Sequence, residues 1–268
     1  MLVDDIIKKK ELKDLNKEFV SNELREYLKR NKIEEIPNEK SAKYKKIVKD
    51  IRKKFREIYG VYKTRYSGDV AEFISSMRDF KSFKENSNEI LKAHTSTLER
   101  RPYYEEIYSK LFDGETSIID LGCGLNPFSI PCMPRIKKYF AADFNISEIH
   151  LLNDYFKIAS KYYPGFEGFA EVIDLRKLEF KLPHMEMCFL FKILDVIEKK
   201  GHKHAEKLIE KIPANKIIVS FPTKTLSQKK MNYPRRKWIE LMAQRLGYKM
   251  ESFEAKNEIF YTLKKPEF

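Results

Sequence analysis

Residues 117–128 constrain the fold of this chain more than any other stretch. The largely apolar run Ile118–Leu121 leads directly into Gly122-Cys123-Gly124. The run predicts a buried parallel strand, and the glycines, which lack a Cβ, allow a tight turn that brings the backbone close to a ligand. In open α/β sheets, a turn of this kind at the carboxyl end of the first strand borders a binding crevice. The alternative is a strand-to-turn transition in which the glycines serve geometry only.

Strand and helix patterns alternate from about residue 103 onward. A helix is predicted to begin at Glu148 with Ser147 as its N-cap. The order of the elements predicts a mostly parallel α/β sheet that ends in an antiparallel hairpin, which is typical of the class I (Rossmann-like) methyltransferase fold rather than of a dinucleotide dehydrogenase. Strands are predicted at about 118–121, 138–143, 169–173, 187–191, 216–221, 248–253 and 258–264.

The first part of the chain has a different pattern, with apolar residues at helical spacing. Tyr44, Ile47, Ile51 and Phe55 mark one apolar helix face, and a further helix is predicted over about 69–80. We therefore predict two domains: a small, basic, all-helical RNA-binding domain over residues 1–95 and a methyltransferase domain over 96–268.

Positive charge is concentrated in the helical part. The chain has a formal net charge of +13, and between Lys43 and Arg65 there are ten bases against Asp50 and Glu57 only. A local excess of bases on one helix face favours a nucleic-acid partner, although a solvated face of a lysine-rich protein is the alternative. The predicted RNA contacts are Lys45, Lys46, Lys49, Arg52, Lys53 and Arg56.

Composition also bears on the compartment and on metal binding. No apolar run has the length of a membrane span, and three cysteines without metal-site spacing indicate reduced thiols, so we expect a cytoplasmic protein without a membrane partner. His202 and His204 are interpreted as helix-surface residues. The sequence predicts no metal site.

Acids lie at the ends of the predicted second and third strands of the sheet. Asp143 lies one βαβ unit after the glycines, where a carboxylate can accept hydrogen bonds from ribose hydroxyls; a strand-end cap is the alternative. Asp174 is placed to accept a hydrogen bond from an adenine amino group while Leu175 covers the ring. A dinucleotide would require a third glycine where Pro127 stands, which favours S-adenosylmethionine (SAM) as the cofactor. Cys123, Phe144 and Phe191 complete the predicted cofactor contacts.

Three strings in this order resemble the aminoglycoside-resistance 16S ribosomal RNA (guanine-N7) methyltransferases. They are residues 94–100 (HTSTLER), 120–127 (DLGCGLNP) and 220–227 (SFPTKTLS). The resemblance covers roughly residues 90–265. It implies a SAM-dependent enzyme that methylates guanine N7 at the decoding site of the small-subunit rRNA, with rRNA in the assembled small subunit as its partner. We expect a monomer as the acting species.

The resemblance also implies roles for individual residues. Arg100 would bind the methionine carboxylate of SAM, while Ser220, Phe221 and Lys224 would border the target base. Phe221 is predicted either to stack on that base or to pack after its strand. Because guanine N7 has a lone pair and no proton, no catalytic acid or base is predicted.

Other functions remain open at the level of the sequence. One alternative is a SAM-dependent methyltransferase that acts on tRNA or on another position of the rRNA. A third possibility, different in class, is a non-catalytic RNA-binding protein with a degenerate methyltransferase fold, which would not bind SAM.

Overall fold

The computed structural model describes residues 2–9, 12, 13, 15, 17–56, 64, 68–197, 201–225 and 229–266. The helices are α1 Leu2–Ile7, α2 Lys17–Arg30, α3 Ala42–Phe55, α4 Val70–Ser75, α5 Phe80–Ile90, α6 Thr95–Arg100, α7 Tyr104–Leu111, α8 Ile146–Tyr162, α9 Leu194–Ile197, α10 Lys203–Lys211 and α11 Lys237–Arg245. The strands are β1 Ser117–Leu121, β2 Lys138–Asp143, β3 Glu167–Val172, β4 Met185–Phe191, β5 Ala214–Pro222, β6 Lys249–Ala255 and β7 Glu258–Lys264.

Within these residues, seven strands form a sheet in the order β3-β2-β1-β4-β5-β7-β6. Strands β1 to β5 pair in parallel, and β7 runs antiparallel to both β5 and β6. This topology confirms the predicted α/β sheet with its closing hairpin. The strand order reverses at β1 and β4, so the carboxyl end of β1 lies at the switch point where open sheets of this kind bind ligands.

Each face of the sheet is covered by its own layer. Alternate residues of β1 show the division: Ile118 packs in the core with Tyr155 and Phe156 of α8, whereas Ile119 packs in the opposite core with Leu208 and Ile209 of α10. Side chains of successive strand residues point to opposite faces, so a strand buried on both sides has a nearly continuous apolar sequence.

The N-terminal helices α1 to α3 have a separate hydrophobic core. Its residues include Phe19 and Val20 from α2 and Ile47 and Phe55 from α3, and Phe144, which follows β2, packs against them. Helices α4 and α5 instead contribute Ile74, Phe83 and other residues to the core on the α8 side of the sheet. The predicted boundary at residue 95 stays a prediction, while the packing divides the helical part into these two groups.

Two predicted helix limits were wrong: one helix has a different N-cap residue, and the other ends early because a polar residue caps the helix that follows it. Asn145, not Ser147, is the N-cap of α8, and its side chain accepts hydrogen bonds from the backbone N–H groups of Ser147 and Glu148. The helix predicted over 69–80 ends at Ser75, because Asp79 accepts a bond from the Ser82 N–H and caps α5.

Candidate functional site

A crevice lies at the carboxyl ends of the parallel strands, with the glycine turn after β1 at its centre. Gly122 has φ +67° and Gly124 has φ +47°, in the left-handed region that favours glycine. A Cβ on Gly122 would lie 2.6 Å from Cγ1 of Ile193, and one on Gly124 would lie 3.1 Å from Nδ1 of His94. Both glycines are therefore required by the backbone, and Gly122 also by close packing.

Asp143 ends β2 and lines this crevice beside the glycine turn. Its Oδ2 accepts the Gly124 N–H at 3.0 Å, and its Oδ1 accepts the Asn145 N–H at 3.2 Å. Burial, together with the nearby negative charge of Glu148, raises the pKa of Asp143 to about 6. The carboxylate is held rigidly by two backbone donors, and each of its oxygens keeps capacity for a further donor.

One end of the crevice is lined by Ile173, Asp174 and Leu175. Both oxygens of Asp174 are paired with the guanidinium of Arg176, at 2.9 Å from Nε and 2.9 Å from Nη2. Burial alone would raise the pKa of Asp174, but the adjacent Arg176 outweighs it and holds that pKa below its usual value. Asp174 is thus a fixed, ionised acceptor beside an apolar wall.

The opposite end contains Arg100, which is 4% exposed and lies 4.8 Å from the ring centroid of Phe191. Its guanidinium forms a bidentate pair with Glu258, with Nε–Oε2 and Nη2–Oε1 distances of 2.9 Å each. Lys192 also pairs with Glu258, at 3.2 Å. Burial alone would raise the pKa of Glu258, but the charges of Arg100 and Lys192 hold it below its usual value.

A second buried acid belongs to a hydrogen-bond network next to the Arg100 end of the crevice. Asp120 of β1 accepts hydrogen bonds from Asn126 Nδ2 at 2.9 Å and from the Tyr139 hydroxyl at 2.7 Å. Burial raises its pKa to about 6. Asn126 in turn accepts a bond from the Tyr104 hydroxyl at 2.9 Å and lies 3.5 Å from Nη1 of Arg100. The network fixes the turn and Arg100 relative to each other.

The structure brings together all nine predicted cofactor residues around this crevice, at one end or along its length. They are Arg100, Gly122, Cys123, Gly124, Asp143, Phe144, Asp174, Leu175 and Phe191. Burial raises the pKa of Cys123 well above its ordinary value, which keeps its thiol neutral.

Sequence reasoning missed several residues of the same crevice. His94 lines it and pairs with Glu148 at 3.2 Å, and Phe19 of α2 lines the end that contains Asp174. Glu258 pairs with Arg100 although 158 residues separate them. The motif string 94–100 included His94, so a signal existed there; no local pattern distinguishes Phe19 or Glu258 from other apolar or acidic residues.

The three residues predicted to border the target base lie at or after the end of β5. Ser220 is fully buried and donates a hydrogen bond to Glu258, and Lys224 is half-buried. Phe221 is fully buried between Trp238 and Tyr261, with ring centroid distances of 6.0 and 6.1 Å, and Arg236 covers its ring. This position corresponds to the packing role of Phe221 and leaves its ring no access to a base.

A basic stripe lies along α3, away from this crevice. Four bases at i, i+4, i+7 and i+11 line a groove between α3 and the end of α1, namely Lys45, Lys49, Arg52 and Arg56. Arg52 is partly engaged within the protein, since its Nε donates to the Ile6 carbonyl at 3.1 Å. The other two predicted RNA contacts lie outside the stripe: Lys46 pairs with Asp50 at 2.6 Å, and Lys53 is exposed. Lys63 and Arg65 lie outside the described residues.

The described part of the chain contains neither a helix long and apolar enough to cross a bilayer nor a group of three potential metal-binding acids, histidines and cysteines. His204 contacts the Leu175 carbonyl oxygen at 2.8 Å, and His202 stacks on Trp238. Both histidines of the HxH pair are thus in contact with neighbouring protein groups.

Solved structures support the fold. The chain is similar to the 16S rRNA methylase RmtB, with a TM-score of 0.74 and 19% identity over 99% of this chain and 97% of that one. It is also similar to the 16S rRNA methyltransferase RmtF in complex with S-adenosyl-L-homocysteine, with a TM-score of 0.73 and 21% identity over 99% and 97% of the two chains. The sheet is therefore that of a class I methyltransferase.

Proteins of similar sequence are named for one and the same enzymatic activity. A 16S rRNA (guanine(1405)-N(7))-methyltransferase of Frankia casuarinae is 26% identical over 231 residues, which are 81% of this chain and 80% of that protein. One of Proteus mirabilis is 27% identical over 202 residues, covering 68% and 70%. A family model described as ribosomal RNA methyltransferase (FmrO) matches residues 34–262, a range that includes the whole strand-end crevice except Phe19. The chain belongs to the ribosomal RNA methyltransferase (FmrO) family.

Proposed function

We propose that this protein transfers the methyl group of SAM to N7 of a guanine in 16S rRNA. The observation that carries the proposal is the crevice itself, in which the glycine turn, Asp143 and Asp174 lie at the carboxyl ends of successive strands of a methyltransferase sheet. The names of the curated relatives supply the guanine, its N7 atom and the 16S rRNA.

The crevice residues would contact SAM along its whole length. Asp143, held by two backbone N–H groups, would accept the ribose hydroxyls, and Asp174 would accept the adenine amino group beside Leu175. Arg100 would bind the methionine carboxylate, because its Nη1 is the guanidinium nitrogen that Glu258 does not occupy. When bound, SAM supplies an electrophilic methyl group on a sulfonium sulfur.

The chemistry required of the protein is positioning. Guanine N7 has a lone pair and no proton, so it can attack the methyl carbon without a general base. The side chains around the crevice would exclude water and orient the base, and proximity and orientation contribute about 7–11 kcal/mol to barrier reduction in favourable cases. Because a base inside a duplex cannot reach such a crevice, the target guanine must be unpaired or flipped.

The basic stripe on α3 would bind the rRNA backbone. Lys45, Lys49 and Arg56 are exposed along one helix face, and phosphate contacts by such residues position a protein on RNA without reading its sequence. Residues 1–95 would accordingly act as the RNA-binding domain and residues 96–268 as the methyltransferase domain. We propose the assembled small ribosomal subunit as substrate, a monomer as the acting species and the cytoplasm as its compartment.

Methyl transfer from labelled SAM to small ribosomal subunits, naked 16S rRNA and tRNA in parallel tests this function. Digestion of each RNA and mass spectrometry locate any methyl group. We expect N7-methylguanosine in the decoding region of 16S rRNA, with subunits preferred over naked rRNA. Methylation of another nucleotide would contradict the proposed target, and methylation of tRNA alone would contradict the proposed substrate. A protein that binds no SAM would contradict the reaction.

A further inference from the structure

Helix α2 of the N-terminal core reaches the end of the crevice that contains Asp174. Phe19, which is 6% exposed, lines this end together with Ile173, Asp174 and Leu175. Helix α2 lies before residue 34, where the match to the family model begins. The N-terminal core therefore supplies part of the crevice wall.

The ring of Phe19 stacks on two other residues of that wall. Its centroid lies 4.7 Å from that of Phe144, with 12° between the ring planes, and the guanidinium carbon of Arg176 lies 4.1 Å from it. Phe144 directly follows Asp143, so the packing of Phe19 bears on the strand end proposed to bind the ribose. Stacked aromatic pairs and Arg–aromatic contacts favour defined geometries beyond simple burial.

A chain of ion pairs connects the same two parts of the molecule. Glu23 of α2, with a side chain 4% exposed, pairs with Arg176 at 2.6 Å and also with Lys54 of α3. Arg176 pairs in turn with both oxygens of Asp174. Glu23 and Asp174 thus hold the same guanidinium, which belongs to a side chain 26% exposed, so Glu23 contributes to the position of Arg176 and, through it, of Asp174.

We propose that α2 is part of the cofactor site, with Phe19 as a wall of the nucleoside pocket and Glu23 as a positioning residue that acts through Arg176 on Asp174. The inference rests on the proposed binding of SAM. It makes cofactor affinity depend on the docking of the N-terminal core and not only on the methyltransferase sheet.

Calorimetric titration of the full chain with S-adenosylhomocysteine and with methylthioadenosine tests whether Phe19 forms a wall of the nucleoside pocket. The second ligand keeps the nucleoside and lacks the amino acid. Phe19→Leu should weaken binding of both ligands by a similar factor, about five- to tenfold. Phe55→Leu is the matched control, because Phe55 packs in the same core 5.4 Å from Phe19 but does not line the crevice; its affinities should stay within twofold of wild type.

Exchange of a single carboxylate on α2 tests the ion pairs and keeps the inference testable if Phe19→Leu does not fold. Glu23→Gln should weaken both ligands about three- to fivefold. Glu26→Gln is its control on the same helix, because Glu26 is exposed and does not line the crevice. Wild-type affinity in both Phe19→Leu and Glu23→Gln, or equal losses in the variants and their controls, would overturn the inference. A wild-type protein that binds neither ligand would refute the proposed function and this inference with it.

Discussion

Replacing Glu258 by glutamine tests the view that a buried ion network supports the crevice. Glu258 and Arg100 each have side chains 4% exposed, and the same carboxylate also pairs with Lys192. The substitution keeps the size of the side chain but removes its charge and turns an amide N–H₂ toward cationic donors. Loss of one partner of a buried pair typically costs about 3–5 kcal/mol.

Urea unfolding measures this loss directly. For a chain of this size an m-value near the upper end of the usual range, about 3 kcal/mol/M, converts the expected loss into a fall of about 1–2 M in the unfolding midpoint. Circular dichroism reports the whole fold, and the fluorescence of Trp238, the single tryptophan, reports the layer that contains α11. Both probes should give the same shift, because Glu258 lies in the sheet that carries both cores.

Glu106→Gln is the matched control. Glu106 forms an i,i+4 pair with Lys110 at 2.6 Å, but its side chain is 54% exposed. Exposed pairs of this kind contribute about 0.3–0.5 kcal/mol, so the midpoint should change by no more than about 0.2 M. A Glu258→Gln midpoint as close to wild type as that of the control would refute the reasoning from burial.

Three further predictions concern ligands. Gly122→Ala should abolish binding of S-adenosylhomocysteine in calorimetric titration, because the new Cβ would lie 2.6 Å from Ile193 at φ +67°; wild-type affinity would contradict this. The pKa of Asp143, raised to about 6 by its burial, predicts that the same affinity falls about tenfold when the pH is lowered from 7 to 5, since protonation removes the acceptor. Asp143→Asn should remove most of this pH dependence. Because the pKa of Asp143 in the folded state lies above its ordinary value, protonation of Asp143 should stabilise the folded state over the same pH range. Lys45→Glu with Lys49→Glu should weaken binding to 16S rRNA and lower its salt slope by roughly two, while the same double reversal on exposed lysines of α10 should change neither.

The sheet and the crevice were largely predictable because both depend on local patterns. Apolar runs that end in an acid or in glycines mark the carboxyl ends of β1 and β2, and the switch-point rule then brings Gly122 and Asp143 to one place. The cap of α8 was less predictable, since Asn145 and Ser147 are both good N-cap residues and only the backbone geometry selects Asn145.

The end of β5 shows that a shared sequence motif does not by itself establish which side chains contact a ligand. Ser220 and Phe221 are neighbours in one motif, but side chains alternate across a strand. Ser220 accordingly turns toward Glu258, whereas Phe221 enters the opposite core beside Trp238. A motif indicates that a segment borders a site, and only the register of the strand decides which of its side chains face it.

The contact between α2 and the crevice could not have been predicted from the sequence. The pattern of α2 indicates an apolar face that includes Phe19, but not the surface against which that face packs, and Glu23 and Arg176 are 153 residues apart. If rRNA bound along α3 changes the position of α2 through the pair between Lys54 and Glu23, it will also change the affinity for SAM. Such coupling is reciprocal, so SAM must then change the affinity for rRNA by the same factor. A common factor different from one in the two titrations would make the N-terminal core a link between substrate and cofactor, and a factor of one would limit it to the wall of the pocket.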